Sequence, residues 1–219
     1  MVDPILLAGT ELFRGLSPED LDTIADEAKS RDLQRNDVLF HEGDEPDALY
    51  VVQEGRIAIA NRSIDGRESL VALMEAGDLF GEMPLFDGEG RSAEARALEP
   101  SVVVEVPYVA IRRMLAGRPE LLWGVVELLA RRIRSTDAVL ADSVFLDVAG
   151  RTAKRLLELA GEADEFQLPI TQEELAGMVG ASRERVNKAI ASFIRLGWID
   201  QRERRYRILD RVQLERRAR

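Results

Sequence analysis

TQEELAGMVGASRERVNKAIASFIRLGWI, residues 171–199, decides the reading of this 219-residue chain. Thr171, with Glu174 three positions on, forms a capping box that starts a helix. Leu175, Ala176 and Val179 give that helix its apolar face. Gly180 suits the backbone of a tight turn, and Ser182 caps a second helix. There Val186, Ala189, Ile190 and Phe193 recur at helical spacing and point inward. Arg183, Glu184, Arg185, Asn187 and Lys188 are left facing outward near the helix start. Two helices joined by a glycine turn read as a helix-turn-helix, whose second helix offers its N-terminal residues to base edges in the DNA major groove. Arg183 has the donor fork for guanine O6 and N7, Glu184 can accept from cytosine N4, and Lys188 can reach a guanine or a phosphate. Thr171, Gln172 and Ser182 sit at the helix starts, where hydroxyls and amides suit phosphate.

The residues after this stretch extend the same unit. Gly197 ends the second helix. Residues 198–199 and 206–209 read as two strands of a wing, with Arg202, Arg204 and Arg205 at its tip. Those arginines fit a solvated surface or phosphate contact.

Charge separates this unit from the rest. The chain has net charge -10, yet residues 151–219 sum to +4 and residues 1–120 to -13. The basic unit is drawn to phosphates and the acidic one repelled, so two units with different partners are expected. The sequence has no cysteine and one histidine, His41. Disulfides, thiolate metal sites and cysteine nucleophiles are excluded, and a His-rich metal site cannot be built. No apolar run reaches membrane length, and the N-terminus lacks a signal peptide's basic start. A cytoplasmic protein with no membrane partner is the expectation. Phosphodiester hydrolysis would require metals held by histidines and carboxylates, so an enzyme is not expected.

Upstream, Ser17 caps a helix with Pro18 at its first position, and Leu21, Ile24, Ala25 and Ala28 share a face. Between residues 31 and 107 the period shortens. The runs 38–40, 48–55, 56–62, 69–74 and 101–106 read as strands with glycine turns, and Asp65-Gly66 signals a hairpin. Many short strands of this kind predict a small antiparallel barrel or jelly roll, giving an α+β chain overall. A helical patch at Ile111, Met114 and Leu115 ends at Arg118-Pro119. A long helix over 120–145 then carries Leu122, Val126, Leu129, Ile133, Thr136, Leu140 and Ser143 in a four-three spacing. The seam fits a parallel contact between two copies, or a helix packed on its own barrel. Residues 147–150 read as a hinge, and another helix follows. The expected boundaries are a sensor domain over 1–119, a dimerisation helix over 120–146 and a winged helix-turn-helix over 147–219.

Residues 80–97, FGEMPLFDGEGRSAEARA, close one strand, pass through a short helical piece and lead into another strand. Arg91 can clamp a phosphate, Ser92 can donate to it, and Glu82 can accept from a sugar hydroxyl. An exposed loop with Arg91 paired to Glu89 or Glu94 fits the same residues.

GEMPLF-x4-RSA at 81–93, VFLDVAGRTAKRLLELA at 144–160 and TQEELAGMVGASRERVNKAIASF at 171–193 are specific, and the resemblance covers essentially the whole chain. The sequence resembles the bacterial Crp/Fnr family of transcription regulators, in particular actinobacterial cyclic-AMP receptor proteins. The resemblance implies a cyclic-nucleotide-binding β-roll, a long dimerisation helix, a winged helix-turn-helix, and a homodimer reading a TGTGA-like palindrome in double-stranded DNA. It places Gly81 and Glu82 at the ribose 2′-hydroxyl region and Arg91 and Ser92 at the cyclic phosphate, with Met83 and Ala93 also in the ligand site. Arg132, Thr136 and Asp137 come from the long helix, Thr136 at the adenine and residue 137 near the base held by the other subunit. Relatives often carry serine or asparagine where Asp137 stands, and an ionised carboxylate cannot donate. Arg183, Glu184 and Lys188 match the main base-reading positions. Cyclic AMP is the expected effector, with no resident cofactor, and RNA polymerase is an expected partner. A barrel indifferent to ligand, or bound to another small effector, is the alternative.

Overall fold

The structure, a computed structural model, describes residues 2–62 and 68–219. The expected Asp65-Gly66 hairpin lies outside the described residues. Two helices begin the chain, α1 (Pro4–Ala8) and α2 (Pro18–Glu27). The Ser17 hydroxyl accepts from the Asp20 amide and the Asp20 carboxylate accepts from the Ser17 amide, a complete capping box. Leu21, Ile24 and Ala25 are buried on its inner face.

Eight short strands follow: β1 (Lys29–Leu33), β2 (Val38–Phe40), β3 (Ala48–Glu54), β4 (Ile57–Arg62), β5 (Glu68–Met74), β6 (Leu79–Phe80), β7 (Glu94–Ala97) and β8 (Ser101–Pro107), with α3 (Met83–Asp87) between β6 and β7. They form two four-stranded sheets, ordered β1-β8-β3-β6 and β2-β7-β4-β5. This is the antiparallel β-roll that the glycine-punctuated strands predicted. Between the sheets pack Leu33, Tyr50, Val52, Ile57, Phe80 and Val103. Gly55 has φ +81, and a Cβ there would stand 2.3 Å from Ser101 Oγ, so the β3–β4 turn requires glycine. β1 had no signal in the sequence: four of its five residues are exposed, and only its pairing with β8 makes it a strand.

α4 (Tyr108–Gly117) and a 3-10 turn (Pro119–Leu121) lead into α5 (Leu122–Phe145). The start of α5 joins a second core, where Val125 and Leu128 pack with Leu7, Phe13, Ile24, Val104 and Ile111.

α6 (Val148–Ala160), β9 (Glu165–Gln167), α7 (Gln172–Val179), α8 (Arg183–Arg195), β10 (Ile199–Arg202), β11 (Arg205–Ile208) and α9 (Arg211–Arg217) complete the chain. The hinge expected over 147–150 is narrower. Val148 already begins α6, and Asp147 is its N-cap, accepting from the Gly150 amide at 2.8 Å. The wing has three strands, ordered β10-β11-β9, and its two long strands run one to three residues off the predicted spans. α9 has no apolar periodicity to announce it in the sequence, because its single buried residue, Leu214, is surrounded by charge. The described residues fall into two compact units, 2–62 with 71–134 and 68–70 with 135–219, so the division lies inside α5.

Candidate functional site

In the first unit, the chain turns at Gly81, with φ +76, between β6 and α3. A Cβ at Gly81 would come within 2.8 Å of Arg91 Nη1, so glycine lets the arginine approach the backbone. Arg91 is only 4% exposed. Its Nη1 donates to the Gly81 carbonyl at 2.9 Å and to Tyr108 Oη at 3.2 Å, and Nη2 donates to the Ala48 carbonyl at 2.8 Å. The guanidinium lies 4.2 Å from the Phe40 ring centroid and 5.5 Å from that of Tyr50. Its Nε is buried and meets no acceptor among the described residues. The exposed-loop reading is thereby corrected: Arg91 pairs with neither Glu89 nor Glu94. Glu94 instead takes His41 Nδ1 at 3.1 Å and Arg62 Nη2 at 3.1 Å.

Tyr108 closes this cluster. Its hydroxyl donates to the Gly81 carbonyl, and burial pushes its pKa up to about 12, so it stays a donor across the neutral range. Glu82 is buried at 1% exposure and faces Arg132 of α5, with Nε 2.9 Å from Oε1 and Nη2 3.1 Å from Oε2. Burial raises its carboxyl above the ordinary carboxylate range, and the Arg132 charge opposes that rise. Arg132 also donates to the Leu79 carbonyl at 2.7 Å. The expected sugar acceptor is thus engaged by an arginine. Met83 and Ser92 are exposed and touch through Ser92 Oγ and Met83 Sδ at 3.7 Å, while Ala93 is buried. The structure brings Gly81, Glu82, Met83, Arg91, Ser92, Ala93 and Arg132 into one region. Sequence reasoning missed Phe40, Tyr50 and Tyr108, which no local motif marks.

Thr136 and Asp137 lie further along α5, beyond the unit division, and both are exposed. Of the four-three seam, Leu122, Val126, Ile133 and Leu140 are 46%, 52%, 62% and 61% exposed. Leu129 of the same seam packs against the core that holds Val125 and Leu128, so one member of the stripe serves the chain's own packing while these four stand exposed.

In the second unit, Thr171 and Glu174 form the predicted capping box of α7. Gly180 takes φ +66 and ends it. The Ser182 hydroxyl caps α8 by accepting from the Arg185 amide. Val186, Ala189, Ile190 and Phe193 are buried, as expected. Arg183, Glu184, Arg185, Asn187 and Lys188 are exposed, and their side chains have no partner among the described residues. Even Glu184 and Lys188, at i,i+4 spacing, do not pair. Two expectations change. The Gln172 amide donates to Tyr206 Oη at 2.6 Å, so this side chain turns toward the wing. Arg204, expected at the wing tip, folds back and donates to the Leu168 and Ile170 carbonyls at 3.2 and 3.3 Å. Arg202, Arg204 and Arg205 are all exposed, but only Arg204 bonds to the carbonyls of another segment.

Comparison with known proteins agrees with this geometry. Residues 30–118 match the cyclic nucleotide-binding domain, and residues 150–217 match the Crp-like helix-turn-helix domain. The chain is 39% identical over 98% of its length to a CRP-like cAMP-activated global transcriptional regulator of Mycobacterium tuberculosis, covering 99% of that protein. It is 35% identical over 69% of its length to the cAMP-activated global transcriptional regulator CRP of Pasteurella multocida, covering 76% of it. The structure of a CRP-family transcriptional regulator from Thermus thermophilus superposes with TM-score 0.71 at 29% identity, over 86% of this chain and 96% of that one. Among the described residues no helix is long and apolar enough to cross a membrane. A β-roll of the cyclic-nucleotide-binding kind, a long helix and an exposed, capped recognition helix, matched by relatives along nearly the full length, make this chain a DNA-binding transcription factor of the Crp/Fnr family and not an enzyme.

Proposed function

We propose that the chain is a homodimeric regulator, of the actinobacterial cyclic-AMP receptor type, that reads a TGTGA-like palindrome under control of a cyclic nucleotide, cyclic AMP first. The observation that carries the ligand assignment is Arg91: a buried cation beside a glycine turn, with one N–H unmatched by any acceptor in the described residues. A cyclic phosphate brings anionic acceptors to such a group, and burial among rings strengthens the pairing. Ser92, Met83 and Ala93 line the approach. Glu82 and Arg132 meet the ribose, and Thr136 and Asp137 the base. The relatives from Mycobacterium tuberculosis and Pasteurella multocida are cAMP-activated regulators, which favours cyclic AMP. Domain limits of 1–119, 120–146 and 147–219 follow this division of labour, with the α5 stripe joining two copies. The two recognition helices then enter successive major grooves about 34 Å apart. Thr171, Ser182 and Arg185 hold phosphates, Gln172 offers only its backbone amide, and Arg183, Glu184 and Lys188 read bases. RNA polymerase is the expected downstream partner, in the cytoplasm.

Ligand can act only by binding the DNA-competent state better than the other. Operator affinity measured at fixed salt without nucleotide, with cyclic AMP and with cyclic GMP is the test. Tighter binding with cyclic AMP is expected. Arg91→Ala should abolish that response while leaving nucleotide-free DNA binding in place. Equal affinities in all three conditions would overturn ligand control. They would favour a second reading, in which the barrel works without nucleotide. That reading draws on the Arg91 Nη1 and Nη2 groups being already bonded within the protein, and on Asp137 standing where relatives carry a donor.

A further inference from the structure

Asn187 occupies a particular place on α8. At about 100° per residue, Asn187 lies one turn beyond Arg183 and about 40° around the helix from it. Val186, Ala189, Ile190 and Phe193 are buried; Asn187 lies about 60–160° around the helix from them, and Arg183 stands nearer the edge of that buried face. Glu184, Lys188 and Ala191 form the adjoining exposed stripe. Asn187 is exposed, and its amide has no partner among the described residues. It does not bond back to its own helix, one of the two uses of a short polar side chain in such a position, and so points to solvent. Asparagine is also among the poorer helix formers, so the residue does not serve the stability of α8. Being neutral, it gains little from phosphate charge. Ala191, one turn further on, is small and exposed, so nothing bulky holds a surface away from the amide.

We infer that Asn187 reads an adenine in the major groove, as a specificity-determining residue beside Arg183. The inference rests on the DNA-reading role proposed above. The amide presents a carbonyl acceptor and an N–H donor in one plane, which matches the adenine N6 donor and N7 acceptor. Guanine presents two acceptors at the same edge, O6 and N7, so one of them would face the Asn187 carbonyl oxygen. That mismatch gives selection against G·C as well as for A·T. The Arg183 guanidinium, donors only, makes the opposite choice one turn earlier.

The full-length protein is compared with Asn187→Ala on a palindrome selected from random duplexes. Each base pair of the half-site is changed in turn, and affinity is read by fluorescence anisotropy at one salt concentration. A further duplex carries 7-deaza-adenine, which lacks the N7 acceptor. At one A·T position the unsubstituted protein should lose about tenfold in affinity on change to G·C, and should also lose affinity on the 7-deaza change. Asn187→Ala should bind all variants of that position alike, while the penalty at the guanine read by Arg183 stays as it was. Alanine is the better helix former, so α8 remains intact, as circular dichroism would verify. An unchanged penalty at every position, or a uniform loss on every duplex, overturns the inference while guanine discrimination stands. A protein with no sequence preference at any position overturns the DNA-reading role itself.

Discussion

Arg91 sits among ring faces rather than counter-charges. Phe40, Tyr50 and Tyr108 come from β2, β3 and α4, and only the closing of the roll brings them to one guanidinium. The sequence marked Arg91 as chemically capable but left its surroundings open between a clamp and a surface pair. Asp147 is the reverse case, a polar residue whose local role is simple. It accepts from the Gly150 amide and from Arg217 of α9. The Gly150 hydrogen bond, with Arg217 beside it, holds its carboxyl below the ordinary 3.8. The stability it contributes is therefore present above about pH 4 and is lost as pH falls through the lowered value. Asp147→Ala should cost about 1 kcal/mol at pH 7 in denaturant titration. The difference from the unsubstituted protein should shrink in acid. A pH-independent difference would remove the charged cap from the account.

At the scale of elements, the helices with caps and apolar periodicity were legible, and the strands held only by neighbours were not. α2, α7 and α8 each begin at a side chain that accepts a backbone N–H. That bond is local, so three or four residues of sequence suffice to announce it. β1 and β9 have no such local cause. β9 is three residues long and exists through its register with β11. The α5 stripe is a different matter, since its spacing was plain while its use was not. Its exposure favours a second copy as the partner. Ile133→Glu should convert the protein to monomer in sedimentation, with little change in helix content, because Ile133 is 62% exposed within one chain. A dimer of unchanged strength would move the interface elsewhere.

Over the whole molecule, a net -13 in residues 1–120 is set against +4 in residues 151–219, an asymmetry suited to one polyanion-binding unit. The wing arginines divide by what they touch. Arg205→Ala should lower the slope of log affinity for DNA against log salt by about 1, with stability within about 0.5 kcal/mol. Arg204→Ala should leave the slope unchanged and cost about 1–2 kcal/mol, because two backbone carbonyls lose their donor. The opposite pattern would exchange their roles. By itself the sequence determined the β-roll, the long helix, the helix-turn-helix and the outward set Arg183, Glu184, Arg185, Asn187 and Lys188. Each rests on periodicity, capping or turn chemistry acting over a few residues. The tertiary structure alone decided which polar atoms find partners and which do not: Arg91 Nη1 and Nη2 on the Gly81 and Ala48 carbonyls but Nε on none among the described residues, Glu82 beside Arg132, the Gln172 N–H on Tyr206, Arg204 on its two carbonyls. Those partners are distant in the chain, and a buried polar group takes whatever donor or acceptor folding brings beside it.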